Sequence, residues 1–315
     1  MTRPAAYETA MTDLAILYEH PDWFRPLFAA LDRAGIDYTA LPAAGHAFDP
    51  AGSPPPAPLV LNRIAMSSFL RQTEHPIFYA AALFDHWQRR GARVLNGTAA
   101  LAYDSSKARQ LALVTSLGHA IPATRVVHAR ADLVAAARAI GYPLLVKADI
   151  GGAGAGITRY DSEAELAEAA AAGTTPTGVN GIALVQAYVP RRGGHVVRVE
   201  TLAGRFLYAI AIESAGDTFD LCPADACAVG RPPVTFTAVR PAPAIIAAAE
   251  AIAQGAGLDL GGVEYMIDDA DGTPRFYDIN ALSNFVADPL TVLGWDPHDR
   301  LVDWLKTLIT AAKAA

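Results

Sequence analysis

The sequence predicts an α/β protein of about two domains, in which a small parallel α/β domain precedes a larger set of strands and helices. Three features favour this class. Strand-like and helix-like patterns alternate over the first part of the chain, a glycine-rich loop follows a strand near its middle, and two strands joined by a tight turn lie near its end. The chain has 315 residues, of which 52% are hydrophobic, and this is enough to bury a core.

The elements of the first part follow an order that is typical of a parallel sheet. They are a strand over residues 13–18, a helix over 21–34, strands over 36–41 and 58–62, a helix over 77–90 and a short strand over 94–96. The second part begins with a helix over 107–117, capped by Asp104-Ser105-Ser106. After it come an extended segment over 122–127, helices over 132–140 and 162–172, strands over 143–149, 182–189, 196–202 and 206–213, a helix over 241–257, strands over 262–268 and 274–281, and a helix over 298–312.

The composition argues against several classes of protein. The formal net charge is −7 at pH 7, so nucleic acid is not a predicted partner. No apolar stretch approaches the ~18 residues that would span a bilayer, and no secretory signal opens the chain, so we expect a cytoplasmic protein with no membrane partner. The two cysteines, Cys222 and Cys227, are too few for a disulfide framework or a zinc site.

The glycine-rich loop occupies residues 150–156, directly after a strand that carries Lys147. Small residues let backbone N–H groups approach phosphate oxygens closely, and the lysine supplies a positive charge. The loop lacks the Gly-Lys-Ser/Thr ending of a Walker A motif, and Ile157 stands where the dinucleotide-binding fingerprint needs a third glycine. On this pattern alone, a flexible β-hairpin is as good an interpretation as a phosphate-binding loop.

The last predicted pair of strands carries Glu264 on one strand and Asp278 and Asn280 on the other. Residues i and i+2 of a strand point to the same face, so Asp278 and Asn280 project together, and Glu264 can lie opposite them. Two carboxylates and an amide oxygen are ligands that suit Mg²⁺. A solvated polar face is the alternative, but apolar neighbours surround the pair, and buried carboxylates need partners.

Taken together, these motifs resemble the ATP-grasp ligases, most closely the RimK-like branch of ribosomal-protein-S6 glutamate ligase, LysX-like enzymes and glutathione synthetase. The resemblance covers about residues 58–310. The matching segments are, in order, Asn62-Arg63-Ile64, Val94-Leu95-Asn96-Gly97, Asp104-Ser105-Ser106-Lys107, Pro143-Leu144-Leu145-Val146-Lys147, the glycine loop, Gln186-Ala187-Tyr188-Val189, Arg198, Gly262-Val263-Glu264 and Tyr277-Asp278-Ile279-Asn280. The resemblance implies an ATP-grasp fold, in which two subdomains (102–185 and 186–315) sandwich ATP. A small parallel α/β pre-ATP-grasp domain (1–101) would precede them.

The resemblance also implies a role for each site residue. Lys107 and Lys147 would hold the ATP phosphates, and Lys147 and Arg198 would be catalytic, Arg198 facing the transferred phosphoryl group. The loop residues Gly151, Gly152, Ala153, Gly154 and Gly156 would close over the phosphates, and Gln186, Ala187, Tyr188 and Val189 would contact adenine. Glu264, Asp278 and Asn280 would bind Mg²⁺, with Mn²⁺ as an alternative ion. A surface position is the alternative interpretation of Lys107 and of Arg198, and the surrounding matches make it the less favoured one.

By the same resemblance, the protein would be an ATP-dependent carboxylate–amine ligase that forms an acyl phosphate and releases ADP and phosphate. An ATP-grasp phosphotransferase and a non-catalytic nucleotide-binding module are the alternatives. The partners would be small-molecule or peptide carboxylates and amines, and a homo-oligomer is compatible with the family.

Some positions depart from the family pattern or concern the substrates. The branch has aspartate on the first metal-binding strand and glutamate on the second, whereas this chain has Glu264 first and Asp278 second. Arg63 and Ser67 are candidates for binding the carboxylate substrate, with a surface arginine and a helix-capping serine as the alternative. Asp220 and Asp225 could bind a cationic amine or could belong to a solvent-facing loop.

Overall fold

The protein is described here by a computed structural model covering residues 12–20, 22–71, 75–152, 154, 156–214 and 234–314. The predicted site residues Ala153, Asp220 and Asp225, and both cysteines, lie outside the described residues. The strands form three sheets of four, five and four strands. Within these residues no helix has the length and apolar character needed to cross a membrane.

The first sheet is parallel and belongs to the N-terminal part of the chain. Its elements are β1 (Leu14–Tyr18), α1 (Arg25–Arg33), β2 (Tyr38–Pro42), β3 (Leu59–Arg63), a 3₁₀ turn (Met66–Leu70), α2 (Pro76–Arg89), β4 (Arg93–Leu95) and α3 (Thr98–Asp104). The strand order is β2-β1-β3-β4, and every pair is parallel. The central strands β1 and β3 are buried because helices cover a parallel sheet on both faces.

The second sheet is antiparallel and carries the glycine loop. Its elements are α4 (Lys107–Ser116), β5 (Thr124–Val127), a 3₁₀ turn (Arg130–Asp132), α5 (Leu133–Ile140), β6 (Leu144–Ala148), β7 (Ile157–Tyr160), α6 (Glu163–Ala172) and β8 (Ala183–Ala187). The strand order is β5-β8-β6-β7. The loop joins the antiparallel strands β6 and β7, so a strand follows it. Leu133 of α5 and Leu166 of α6 are fully buried against the sheet.

The third sheet has five antiparallel strands. Its elements are a 3₁₀ turn (Arg192–Gly194), β9 (Val196–Leu202), β10 (Arg205–Ser214), β11 (Val234–Val239), α7 (Pro243–Gly255), β12 (Leu260–Ile267), β13 (Pro274–Asn280), α8 (Pro289–Leu293) and α9 (Pro297–Ala314). The strand order is β11-β10-β9-β12-β13. One face packs against α7, where Val199, Ile252 and Val263 form a core. The other face shares a core with β1, β3 and α9.

Most predicted elements are present with shifted ends, and the differences have local causes. The helix predicted over 21–34 begins at Arg25, because the N–H groups of Asp22 and Trp23 donate to His20 Nδ1 in a preceding turn. The elements predicted above omit α3, β11 and α8. The helices α3 and α8 are too short to carry a clear helical periodicity, whereas the alternation of Val234-Thr235-Phe236-Thr237 in β11 is a strand signal that was overlooked. The boundaries of the three predicted domains stay a prediction.

Asn96 joins the parallel sheet to the five-stranded sheet. It follows β4 and is fully buried. Its Nδ2 donates to the carbonyl oxygens of Leu260 (2.7 Å) and Ala281 (2.6 Å), and its Oδ1 accepts from the N–H of Asp259 (2.8 Å). Its φ of 50° lies in the left-handed region, which asparagine adopts more readily than most residues. These bonds fix the start of β12 and the segment after β13 relative to β4.

We expect Asn96→Ala to lower the free energy of unfolding by about 3 kcal/mol, since the side chain makes four hydrogen bonds to buried or half-buried backbone groups of Asp259, Leu260 and Ala281. Urea and thermal unfolding of the full chain would measure this. Thr98→Ala is the control, because it removes a hydrogen bond to Gln88 at an exposed site, and its cost should stay below about 1 kcal/mol. Equal losses in the two variants would contradict the docking role of Asn96.

Candidate active site

Side chains from all three sheets and their connections line one large cavity. Trp23, Met66 and Ser67 come from the N-terminal part, and most of the remaining wall comes from β6, β8, β9, β12 and β13 together with the segments that follow β6, β8 and β13. The predicted site residues that line it are Ser67, Lys107, Lys147, Gly151, Gly152, Gly154, Gln186, Ala187, Tyr188, Val189, Arg198, Glu264, Asp278 and Asn280. Among the described predicted residues, Arg63 and Gly156 are the exceptions. The carbonyl of Gly156 instead accepts the N–H of Ala148 (2.8 Å) at the base of the loop.

Strand register places three charged residues side by side on the cavity face of the third sheet. Arg198 on β9 is the cross-strand partner of Glu264 on β12, which in turn faces Asp278 on β13. Glu264 Oε1 accepts from Arg198 Nη1 (3.3 Å) and Asn280 Nδ2 (3.2 Å), and Oε2 accepts from the Tyr277 hydroxyl (2.8 Å). The hairpin therefore gathers both carboxylates and the amide on one face.

Burial and neighbouring charges shift the pKa values in this row. Burial and the adjacent Asp278 raise the pKa of Glu264, while Arg198 and Tyr277 act in the opposite direction. Burial opposes the charge on Arg198, but Glu200 and Glu264 outweigh it and raise the pKa of the guanidinium above its usual value. The buried Glu200, which accepts a 2.5 Å hydrogen bond from Arg198 Nε, was missed by the sequence argument. The Arg-x-Glu spacing on β9 is the signal that could have found it, because it puts both side chains on one face.

Two lysines face these carboxylates across the cavity. Lys107 Nζ contacts Asp278 Oδ1. Burial opposes the charge on Lys107, but Asp278, Glu264 and Asp104 outweigh it and raise its pKa. Lys147 is 6% exposed, its Nζ lies 5.4 Å from the centre of the Tyr277 ring, and within the described residues it forms no ion pair. Burial, together with Lys107, lowers the pKa of Lys147 to about 8. A buried ammonium without an anion is suited to an anionic ligand.

Asp149 ties together the elements that carry the two lysines. It directly follows β6 and is buried. Its carboxylate accepts from the N–H of Ala108 (2.8 Å) at the start of α4 and from Asn180 Nδ2 (2.8 Å). The helix that begins with Lys107 is thereby fixed to the strand that carries Lys147. Asp149 is not among the predicted site residues, although a carboxylate directly after a buried strand was a usable signal.

Two glycines allow close approaches in the site. A Cβ on Gly262 would lie 2.4 Å from Arg198 Nε, so the arginine can cross β12 only over a glycine. A Cβ on Gly152 would lie 2.8 Å from the Cβ of Ser67, so the glycine loop packs directly on the N-terminal part of the chain. Gly152 and Gly262 therefore allow close packing between elements of the site, in addition to the exposure of backbone N–H groups that a glycine loop provides.

Arg63, a predicted substrate-binding residue, does not reach the cavity. It ends β3, the buried central strand of the parallel sheet, and is 1% exposed. Its Nη1 donates to the carbonyl oxygen of Ser283 (2.8 Å). Burial lowers its pKa to about 10, against the opposing effect of Glu200 and Asp104. Arg63 directly follows the strand predicted over residues 58–62, but the segment after β13 covers this end of the strand.

Ser67, the other candidate for binding the carboxylate substrate, belongs to a cluster at the cavity wall. Its hydroxyl accepts from Arg71 Nη1 (3.0 Å). The guanidinium of Arg71 lies 4.4 Å from the centre of a Trp23 ring and contacts Glu19. The Trp23 ring also stacks on His20 at 4.4 Å. These contacts fix Trp23, a cavity-lining residue that the sequence argument missed.

The predicted metal ligands fit a magnesium ion that shares its coordination with phosphates. Within the part of the chain that the structure describes, no group of three or more His, Cys, Asp and Glu side chains could hold a metal by itself. Glu264 and Asp278 supply two carboxylates, and Asn280 donates from Nδ2 to Glu264, which leaves its Oδ1 for a cation. Mg²⁺ is usually bound by one or two carboxylates together with water and substrate phosphates, and this set meets that need.

Comparison with known proteins agrees with this geometry. Residues 104–283, more than half of the chain, match the family model described as carbamoyl-phosphate synthase L chain, ATP binding domain. A structure of the ATP-grasp ligase PsnB complexed with minimal precursor is 17% identical, with a TM-score of 0.68 over 94% of this chain and 99% of that one. The RimK domain ATP-grasp protein of Sphaerobacter thermophilus is 20% identical, with a TM-score of 0.67 over 92% and 98%. VanG D-Ala:D-Ser ligase of Enterococcus faecalis is 16% identical, with a TM-score of 0.65 over 94% and 98%.

The fold and the cavity therefore define an ATP-grasp protein with a preceding parallel α/β domain, and the predicted superfamily and fold class are confirmed. More particularly, the chain belongs to the family of the carbamoyl-phosphate synthase L chain ATP-binding domain. Among curated proteins, a sequence search finds no match.

Asp104 also lines the cavity, and the pKa of its carboxyl is raised. It is 8% exposed, its Oδ1 accepts from the N–H of Ala281 (2.9 Å), and its Oδ2 has no hydrogen-bond partner among the described residues. Burial raises the pKa of Asp104 from 3.8 to about 7, the Ala281 N–H opposes this shift, and Asp278 adds to it. The folded protein therefore keeps a proton here that the unfolded chain releases near pH 4.

Asp104→Asn should change how stability depends on pH. Between pH ~4 and ~7 the folded wild type binds more protons than the unfolded chain, so this carboxyl makes stability fall as pH rises. The variant has no carboxyl at this position and lacks this pH dependence. Its free energy of unfolding, measured relative to wild type, should therefore increase by about 1–3 kcal/mol from pH 5 to pH 7.5. Urea unfolding at several pH values would measure it. Asp303→Asn, at an exposed position of α9, is the control and should show the same pH dependence of stability as wild type. If the curve of Asp104→Asn also ran parallel to that of wild type, this would contradict the raised pKa of Asp104.

Proposed function

We propose that the protein is an ATP- and Mg²⁺-dependent ligase that joins a carboxylate to an amine through an acyl phosphate. The observation that carries this proposal is one cavity in which the buried Lys147 and Arg198 and the half-buried Lys107 face Glu264 and Asp278. A carboxylate oxygen of the substrate would attack the γ-phosphorus of ATP, with ADP as leaving group. The amine would then attack the acyl carbon, and phosphate and a proton would be released.

The phosphate end of the cavity supports this reaction. Lys107, Lys147 and Arg198 would stabilise the negative charge on the transferred group, while the glycine loop would cover it and exclude water. Because catalysis of phosphoryl transfer is mostly positioning and electrostatics, no nucleophilic side chain is required. Glu264, Asp278 and Asn280 would hold Mg²⁺, which when bound offsets the charge of the phosphate oxygens. One neighbouring PsnB structure is complexed with Mg and ADP.

The wall formed by residues 186–189 is suited to a nucleotide base. The N–H groups of Ala187 and Tyr188 are already bonded to the carbonyl oxygens of Ala123 (2.8 Å) and Pro143 (3.2 Å). The N–H of Val189 has no hydrogen-bond partner in the described part of the chain. Val189 would therefore be the backbone donor for adenine.

The structural neighbours support a carboxylate and an amine as the substrates. They include PsnB with a precursor peptide, a D-cycloserine synthetase and a D-Ala:D-Ser ligase. We infer a small-molecule or peptide substrate pair of this general class. Trp23, fixed by Arg71 and His20, would form part of the substrate wall.

Hydroxylamine trapping would test the reaction without knowledge of the amine. The protein would be incubated with ATP, Mg²⁺, hydroxylamine and a panel of amino acids and short peptides. A ligase should give a hydroxamate together with equal amounts of ADP and phosphate. A labelled γ-phosphate that stays on a stable product would indicate a phosphotransferase, and the absence of ADP formation with every acid would contradict the proposal.

Lys147→Met should reduce ADP formation by at least about 100-fold, because it removes a charge that stabilises the transferred phosphoryl group and keeps most of the side-chain volume. Steady-state ADP release with a substrate identified by trapping would measure this. Lys306→Met is the matched control, since Lys306 is exposed on α9 and does not line the cavity. Wild-type rates in Lys147→Met would rule out its phosphate role.

A further inference from the structure

Tyr277 occupies an irregular position in the strand that carries two of the proposed metal ligands. Glu264 pairs with Asp278, but the next residue of β12, Tyr265, pairs with Phe276. Tyr277 is therefore an extra residue in β13 with no partner in the register, as in a β-bulge. A bulge interrupts side-chain alternation and re-aims a side chain. Tyr277 lines the cavity together with Asp278, whereas Phe276 is buried in the core beneath the sheet.

The bulge brings the Tyr277 hydroxyl to Glu264. The hydroxyl donates to Glu264 Oε2 at 2.8 Å. Arg198 and Asn280 both donate to the other oxygen, Oε1, so in the described residues Tyr277 is the donor that holds Oε2. A glutamate side chain has three rotatable bonds, and holding only Oε1 would leave the carboxylate free to turn about that oxygen.

We propose that Tyr277 is a positioning residue that fixes the orientation of the Glu264 carboxylate for a divalent cation bound with the nucleotide. The inference rests on the proposed function, because it takes Glu264 as a metal ligand. Groups that hydrogen-bond to metal-binding carboxylates orient them, and their loss typically lowers metal affinity by about 10- to 100-fold. The Tyr277 ring also lies beside Lys147, so one side chain contacts both the metal-binding and the phosphate-binding parts of the cavity.

Tyr277→Phe tests this role, because it removes the hydroxyl and keeps the ring and its packing. Binding of Mn²⁺, a paramagnetic substitute for Mg²⁺, to the full-length protein with ADP would be followed by electron paramagnetic resonance. ADP binding without metal would be measured by calorimetry in the presence of EDTA. We expect Mn²⁺ affinity to fall about 10-fold and metal-free ADP affinity to stay within about twofold of wild type.

Tyr265→Phe is the matched control. Tyr265 lies on the neighbouring strand and packs on the opposite face of the sheet, and in the described residues its hydroxyl makes no hydrogen bond with Glu264. Removal of its hydroxyl should leave both affinities unchanged. A purely structural role for Tyr277 would lower the two affinities in equal proportion, and that outcome would overturn the inference.

Other outcomes separate the inference from the proposed function. If wild type binds Mn²⁺ with ADP, Glu264→Gln abolishes this binding and Tyr277→Phe retains it fully, then the positioning role is wrong and the metal site stands. If wild type itself binds neither ADP nor Mn²⁺ with ADP, the proposed function fails, and the inference fails with it.

Discussion

The burial of opposite charges on one sheet face constrains the rest of the site. Arg198, Glu264 and Asp278 occupy neighbouring positions on three strands, and Lys107 extends the row. Ions lose their hydration when they are buried, so such a row is tolerated only where each charge has a partner and each remaining polar atom is satisfied. Loss of one member would leave a buried charge uncompensated. The strands must therefore keep this register, and the contacts around them are arranged to hold it.

Buried polar side chains connect the sheets that meet at the cavity. Asn96 links β4 to β12 and to the segment after β13, and Asp149 links β6 to the start of α4. Gln110, one turn along α4, donates to the carbonyl oxygen of Ile279 (2.8 Å) and accepts its N–H (3.0 Å) at the edge of β13. The helix that begins with Lys107 is thus fixed to the strands of both Lys147 and Asp278. Directional hydrogen bonds specify this arrangement more narrowly than apolar packing alone would.

Local patterns were sufficient to predict the part of the site that depends on local geometry. Side-chain alternation and a tight turn put Glu264, Asp278 and Asn280 on one face, and the glycine loop was expected directly after the strand that carries Lys147. The burial of Arg63 could not be predicted, because it depends on Ser283, which is distant in the sequence. The bulge at Tyr277 could not be predicted either. A register shift is a property of two paired strands, and the sequence of a single strand carries no fixed signature of it.

The proposed function requires Asp278 to change its partner. In the structure the Asp278 carboxylate contacts the ammonium of Lys107. A magnesium ion bound by Asp278 would displace this ammonium. Breaking a buried ion pair is costly when it leaves either charge alone. Binding of nucleotide and metal together avoids this cost, because phosphate oxygens would become the partners of Lys107 as the metal becomes the partner of Asp278. Lys147 has no ion-pair partner to give up in the described structure, and burial together with the nearby charge of Lys107 lowers its pKa. The same phosphate chain would supply the anion that it needs.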